Sequence, residues 1–316
     1  MYPIKTIILV ILSLLMCSCS INEPVKYAIV YGVSEYPYPG LELPYSANDA
    51  VSVSRLLEHL GYEVILRTDD EASMQNIEKD FATLSRMIDD NDLFLFYFSG
   101  HGLSKQTMLE LNDSIVGDDY FSMLLYHEFA YSNLSQYINA NTLSNQKLNQ
   151  LFNTLPDGLK MGVIDACYSG HLINNQGIVD YTPDDYDGSV IRDNDFSTIV
   201  GDAIGNYNSL KNKGSNTGYM LLTSSGSNEV SWDGFFSHSV FTYFFLMSAE
   251  QGDLNKDGVI TALESYCYAY AACQKYWNTP TQDAVWNFLP KITGGAEDLI
   301  IFGHPTIITA TILNSQ

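Results

Sequence analysis

Between Lys26 and Cys167, short apolar runs alternate with stretches of helical periodicity, and this alternation restricts the fold more than any other feature of the chain. Tyr27-Ala-Ile-Val-Tyr-Gly32 is an apolar run ending in Gly, and Tyr62-Glu-Val-Ile-Leu66, Leu93-Phe-Leu-Phe-Tyr-Phe98 and Lys160-Met-Gly-Val-Ile164 read as further strands. The unbroken apolarity of Leu93–Phe98 is that of a parallel strand covered on both faces, because a half-exposed strand would alternate. Between these runs, Ala50, Val53, Leu56, Leu57 and Leu60 recur at helical spacing before Gly61. Ile77, Phe81, Leu84 and Ile88 form the stripe of a second helix, expected over Ser73–Ile88. Ser46-Ala-Asn-Asp49 reads as a capping box with Asp in place of Glu. The expected fold class is α/β: a mainly parallel sheet of about six strands with helices on both faces.

Past Cys167 the pattern changes. Residues 174–216 are rich in Asp, Asn, Gly and Ser and read as a flexible linker. Tyr219-Met-Leu-Leu-Thr223 resumes as a strand, and His238–Met247 and Thr261–Tyr276 read as helices. This second part is too small to stand alone and should extend the same sheet. The Asn- and Tyr-rich stretch 120–150 reads as an inserted surface loop, and 304–316 as a C-terminal tail. The aromatics around Trp232 and Phe235 read as core, with pocket lining as the alternative, and His238 reads as structural. His127 and His304 are isolated, so no zinc spacing exists.

The N-terminus reads as a targeting segment. Lys5 precedes the apolar run Ile7–Met16, which suits a signal h-region and is short for a membrane span. It ends in Met16-Cys17-Ser18-Cys19, where small residues before Cys resemble a bacterial lipobox. Cys19 is the first choice for lipidation and Cys17 the second, and residues 1–19 form the expected lipoprotein-type signal peptide. The mature protein is then expected on the bacterial cell envelope, exported and held to a membrane by its lipid anchor. Of five cysteines, Cys267 and Cys273 lie in an apparently helical stretch at poor spacing for a disulfide and read as small core residues. With 15 Lys and Arg against 37 Asp and Glu, the net charge is −22, which argues against a nucleic-acid partner; the plainer reading is that it keeps the protein soluble, the alternative that it favours cations and basic peptides.

Two Gly-flanked turns follow strands. Ser99-Gly100-His101-Gly102 comes after Leu93–Phe98, and Asp165-Ala-Cys167-Tyr-Ser-Gly170 after Lys160–Ile164. Functional sites in open parallel sheets lie at the carboxyl ends of strands. A thiol there can attack a carbonyl while an adjacent imidazole takes its proton and later protonates the leaving amine. Taken singly, each would be an ordinary loop histidine or a buried thiol; the pairing makes them a candidate dyad.

Tyr97-Phe-Ser-Gly-His-Gly102 and Asp165-Ala-Cys-Tyr-Ser-Gly170 resemble the two active-site motifs of the caspase, metacaspase and bacterial orthocaspase superfamily, with the similarity running from about Tyr27 to Phe302. The resemblance implies a caspase-haemoglobinase-like fold. It implies a large-subunit catalytic region over 26–173, the linker over 174–216 and a small-subunit-like region over 217–303. It implies a cysteine endopeptidase working through a thioester, with His101 as base, Cys167 as nucleophile and the N–H groups of Gly102 and Cys167 as oxyanion hole. In metacaspase-like members an Asp two before the Cys lines a pocket for Arg or Lys; here that is Asp165, with Asp49 as the counterpart of a second pocket Asp. Asp49 also reads as a helix cap, and the two roles are compatible. True caspases carry Gln before Ala-Cys, which this chain lacks, so cleavage of protein substrates after Arg or Lys is expected. Tyr168 stands where metacaspases often have His. Relatives often cut themselves between the two halves, which nominates Arg192, Lys211 and Lys213.

Asp253-Leu-Asn255-Lys-Asp257-Gly258-Val259-Ile-Thr261-Ala-Leu-Glu264 fits a twelve-residue EF-hand loop. Asp253, Asn255, Asp257, Thr261 and Glu264 would contribute side-chain ligands, Val259 its carbonyl, and Gly258 the sharp turn. A bound Ca2+ is therefore expected, structural in a lone loop, with regulation left open. Two rivals remain: an idle caspase-like calcium-binding interaction module, and another hydrolase or transamidase on the same dyad.

Overall fold

The computed structural model describes residues 24–111, 121–127, 133–169, 172, 196–210, 218–278, 287–293 and 299–313. The chain opens with β1 (Lys26–Gly32), α1 (Ser46–His59), β2 (Tyr62–Thr68), α2 (Met74–Leu84) and β3 (Leu93–Ser99). There follow β4 (Gly102–Ser104), α3 (Lys105–Leu111), β5 (Phe121–Leu124), α4 (Leu134–Ala140), β6 (Thr142–Ser144), α5 (Asn145–Phe152) and β7 (Leu159–Asp165). The second part contains α6 (Phe196–Leu210), β8 (Met220–Thr223), the hairpin β9 (Asp233–Phe235) and β10 (His238–Ser239), and α7 (Val240–Gln251). It closes with β11 (Ile260–Thr261), α8 (Ala262–Ala272), β12 (Lys291–Ile292), β13 (Ile300–Gly303) and α9 (Ala310–Leu313).

Six strands form the central sheet in the order β12-β8-β7-β3-β1-β2, parallel except for β12. The expected mainly parallel six-stranded α/β sheet is thus what forms. The order reverses between β1 and β3, which opens a crevice at the carboxyl ends of these strands. Alternate side chains sort to two faces, as the pleat requires. Phe94, Phe96 and Phe98 of β3 join Phe81 of α2 and Phe152 of α5 on one face; Leu93, Leu95 and Tyr97 join α1, α6, α7 and α8 on the other. Each fully buried Phe or Leu stabilises the sheet by roughly 1.5–3 kcal/mol, so β3, buried along its whole length, is the centre of the core.

Several expectations need correction. Residues 174–216 were expected to be linker throughout, but Phe196–Leu210 is helical, because Ile199, Ala203 and Tyr207 recur four apart and bury against α8. Residues 173–195 and 211–217, with Arg192, Lys211 and Lys213, lie outside the described residues, as do the signal segment and Cys19. The stretch 120–150 is no mere surface loop: β4, β5 and β6 form a three-stranded sheet, with Leu148, Leu151 and Phe152 of α5 in the core. Ser46 does not cap α1. Tyr45 is the N-cap without a side-chain bond, Ser34 Oγ accepts from the Ala47 N–H at 2.8 Å, and Asp49 turns inward instead. The second helix ends at Leu84 rather than Ile88, α7 runs past Met247 to Gln251, and α8 gives way to a π-turn over Cys273–Trp277. The tail docks: the Thr306 N–H donates to Ala249 O and the Ile308 N–H to Glu250. Cys267 and Cys273 are buried free thiols, and His238 is a buried structural residue, bonded to Phe236 O and Ser52. Among the described residues no helix is long and apolar enough to cross a membrane.

Candidate active site

β3 and β7 run side by side in register, Ser99 opposite Asp165, so the turns that follow them emerge together. The Gly100 N–H donates to the Asp165 carbonyl at 3.2 Å, joining the His turn directly to the Cys turn. A Cβ at Gly102 would lie 2.0 Å from the Cys167 carbonyl oxygen, so only glycine permits this approach. His101, Gly102 and Cys167 are therefore brought together, and Asp165 and Asp49 lie with them beneath.

The imidazole of His101 is largely buried. Its Nε2 lies 2.8 Å from the Leu41 carbonyl, in the loop after β1. A carbonyl can only accept, so Nε2 carries the ring proton and Nδ1 is the nitrogen left to act as a base. Tyr36 fixes the turn: its hydroxyl accepts the His101 N–H at 3.0 Å and donates to Leu124 O at 3.1 Å. Burial pushes the imidazole below its usual pKa, partly offset by the Leu41 bond, so the ring stays neutral near pH 7.

Cys167 follows β7 on a turn held from below by serines. Ser224 Oγ accepts the Ala166 N–H at 3.2 Å, and Ser225 Oγ donates to the Ala166 carbonyl at 3.1 Å. Tyr168 takes a left-handed φ of 61°, and its N–H donates to Glu229 O, which turns the chain sharply after the nucleophile. The thiol donates to Ser231 O at 3.7 Å. Burial, with Asp165 and Asp233 nearby, pushes this thiol up to about 11, so it rests protonated. The pair is a neutral thiol and a neutral imidazole, which suits proton transfer during attack rather than a preformed ion pair.

Asp49 and Asp165 are both buried. Asp49 accepts from Ser99 Oγ at 2.9 Å and from the Ser239 N–H at 3.1 Å. Burial, followed by the charges of Asp165 and Asp233, holds it well above the usual carboxylate range. Asp165 accepts from Ser231 Oγ at 2.7 Å, Thr242 Oγ1 at 2.6 Å and Ser239 Oγ. Sequence reasoning passed over Leu41, Tyr36, Ser231 and Asp233. Asp233 carried only a faint signal, an acid before Gly234 ten residues past the end of β8 (233 − 223). The others carry no side-chain chemistry or lie far off in sequence.

The loop 253–264 lies away from the dyad. It joins α7 to α8 as a helix–loop–helix requires, with Lys256 and Gly258 left-handed at φ 63° and 89°. Asp253 accepts the N–H groups of Asp257 and Gly258, each at 3.1 Å, and Asp257 accepts from Val259. Glu264 reaches back to the Asn255 N–H at 3.3 Å while closing a capping box with Thr261. The all-oxygen donor set and the loop's shape fit a calcium ion. The carboxylates are spent on the loop's own N–H groups, and among the described residues no group of three or more His, Cys, Asp or Glu side chains is gathered around a point.

Against known proteins, the family model described as caspase domain matches residues 25–269. Among solved structures, protein GSU0716 from Geobacter sulfurreducens is similar at TM-score 0.51 and 16% identity, over 89% of this chain and 97% of that one. At such identity the likeness concerns the fold alone. Caspase-1 from Spodoptera frugiperda aligns at TM-score 0.48 and 15% identity over 91% and 93%. A search of the curated proteins gave no match.

Proposed function

The chain belongs to the caspase-domain family, whose members are cysteine peptidases acting on protein substrates, and from that premise we propose that it is a cysteine endopeptidase with His101 and Cys167 as its dyad, cleaving after Arg or Lys. The observation that carries this reading is the direct joining of the two turns, Gly100 N–H to Asp165 O, with Gly102 packed on the Cys167 backbone. The substrate carbonyl would lie over Cys167. Nδ1 of His101 takes the thiol proton as Sγ attacks, and the N–H groups of Gly102 and Cys167 receive the oxyanion. His101 then protonates the leaving amine, and a thioester remains for water to hydrolyse. The preference for basic residues is supported by Asp49 and Asp165 beside the nucleophile and by the absence, among the described residues, of any ion pair to either.

The proposal extends to the rest of the chain. Asp253, Asn255, Asp257, Val259, Thr261 and Glu264 would hold a calcium ion whose role is to clamp α7 to α8. Lipidation of Cys19 would hold the exported protein on the cell envelope, supported by the apolar run before Ser18-Cys19. Self-cleavage after Arg192, Lys211 or Lys213, between the two halves, would activate the enzyme. The test is hydrolysis of fluorogenic peptides ending in Arg, Lys or Asp by the wild type and by Cys167→Ala. Cleavage after Arg or Lys, reduced at least about a thousandfold in the variant, is expected for loss of the nucleophile. No cleavage of any peptide would favour the idle binding module, and a reactive Cys167 without peptide cleavage would favour a different acyl transfer.

A further inference from the structure

We propose that Glu229 is a positioning residue that orients the Cys167–Tyr168 peptide from the side away from Gly102; this rests on Cys167 being the nucleophile. Tyr168, directly after Cys167, holds a left-handed φ of 61°. A tyrosine takes that conformation at a cost and keeps it only where its surroundings impose it. The peptide joining the two residues is trans, so its carbonyl and its N–H point in opposite directions. The carbonyl is packed against Gly102, where an added Cβ would lie 2.0 Å from the oxygen. The N–H donates to the Glu229 carbonyl at 2.9 Å. The His turn and Glu229 thus grip this peptide from its two sides, and it cannot rotate without losing one of them.

The carboxylate of Glu229 is what holds that carbonyl in place. Its Oε2 accepts the Gly226 N–H at 2.8 Å, while the Glu229 N–H donates to Gly226 O at 3.3 Å, which closes a tight turn in the segment after β8. The same Oε2 accepts the Leu289 N–H at 3.0 Å, and Oε1 lies 3.9 Å from Nζ of Lys291 on β12. A carboxylate that binds two backbone N–H groups beside a cation is a strong anchor, because each bond is charge-assisted. Three segments distant in sequence, the Cys turn, the turn at Gly226 and residues 289–291, therefore meet on one side chain. These contacts are to backbone groups and to Lys291, so Glu229 acts through the turn and not on the substrate. Without the carboxylate the Gly226 turn is released, Tyr168 is free to relax to an ordinary φ, and Sγ of Cys167 shifts relative to Nδ1 of His101.

The test measures kcat, KM and cysteine alkylation for wild type, Glu229→Ala and Glu229→Gln. On a fluorogenic peptide ending in Arg, Glu229→Ala should lose about tenfold to a hundredfold in kcat with KM within about twofold, as a misplaced nucleophile does. Glu229→Gln keeps an oxygen for both N–H groups and should stay within about threefold of wild type. Iodoacetamide, with the modified sites mapped by mass spectrometry, gives the second readout. Cys167 should react at least about threefold faster in Glu229→Ala, because its turn is loosened, while the buried Cys267 and Cys273 stay as protected as in wild type. A loss of stability alone would expose all three together. Parallel reaction of the three, unchanged reactivity of Cys167, or Glu229→Gln as impaired as Glu229→Ala would overturn the assignment. If Glu229→Ala does not fold, Glu229→Asp, whose carboxylate stops one methylene short of Gly226 and Leu289, carries the same comparison. If wild type cleaves no peptide, the peptidase reading fails and alkylation alone decides. Acceleration confined to Cys167 would sustain Glu229 as the residue that orients this turn, and any other pattern would overturn it.

Discussion

At the scale of single residues, the candidate dyad is defined by what each atom can still do. Nε2 of His101 is committed to Leu41 O, and Sγ of Cys167 rests as a thiol on Ser231 O. The imidazole loses its proton below the usual 6.5, and the base form is the one the proposed mechanism uses. The ionisation of His101 should therefore enter the acid limb of kcat/KM against pH with a midpoint below 6.5. In the same protein, alkylation of Cys167 by iodoacetamide should be slow at pH 7 and climb towards pH 11. A midpoint near 7 would show a preformed thiolate instead. Asp49 makes a second prediction. Its folded pKa is raised, so the stability it contributes is fully present below its unfolded value near 3.8 and is lost as pH rises through the folded value. Asp49→Asn should remove that loss. The Tm difference between variant and wild type should grow from pH 5 to pH 8 by about 2–4 °C, the shift that ~1 kcal/mol produces in a chain of this size.

Among elements, α7 connects the candidate pocket to the candidate metal loop. Its N-cap Ser239 donates to Asp165, its first turn offers Thr242 to the same carboxylate, and its C-terminus runs into Asp253. The loop's β11 pairs with β13, so the far end of α7 is tied to the C-terminal segment of the chain. Calcium should raise the thermal midpoint over a chelator control, by an amount approaching about 2.7 kcal/mol of stabilisation at a hundredfold excess over Kd. Glu264→Gln should abolish the rise without itself unfolding the helix, because Gln preserves the capping box with Thr261. A rise that persists in the variant would place the ion elsewhere.

Across the whole molecule, the two halves share one sheet and one core. β8 lies parallel to β7, and β12 is added outside it, so strands from after the 174–216 stretch complete the sheet begun before it. Aromatic side chains from both parts meet, as where Tyr219 stacks on Phe152 at 4.0 Å. A specific protease site placed at Arg192 and then cut should therefore leave both fragments in one gel-filtration peak, separating only in denaturant. Fragments that elute apart would show that chain continuity, not packing, holds the halves together.

The strands β1, β2, β3 and β7, the helix α1 and the His and Cys turns were all legible in the sequence, because each is written in a local pattern: an apolar run, a helical stripe, or glycines flanking one reactive residue. The linker helix was missed because Ile199, Ala203 and Tyr207 are a sparse stripe in a polar stretch, helical only against α8. Asp49 read as a cap and a pocket acid at once, and tertiary packing removed the first by burying it on Ser99 and Ser239. Which carboxylate has an oxygen to spare is no property of sequence at all. It depends on donors from β3, β10, α7 and the segment before β9 arriving at these acids, and only folding leaves Oδ2 of Asp233 without one.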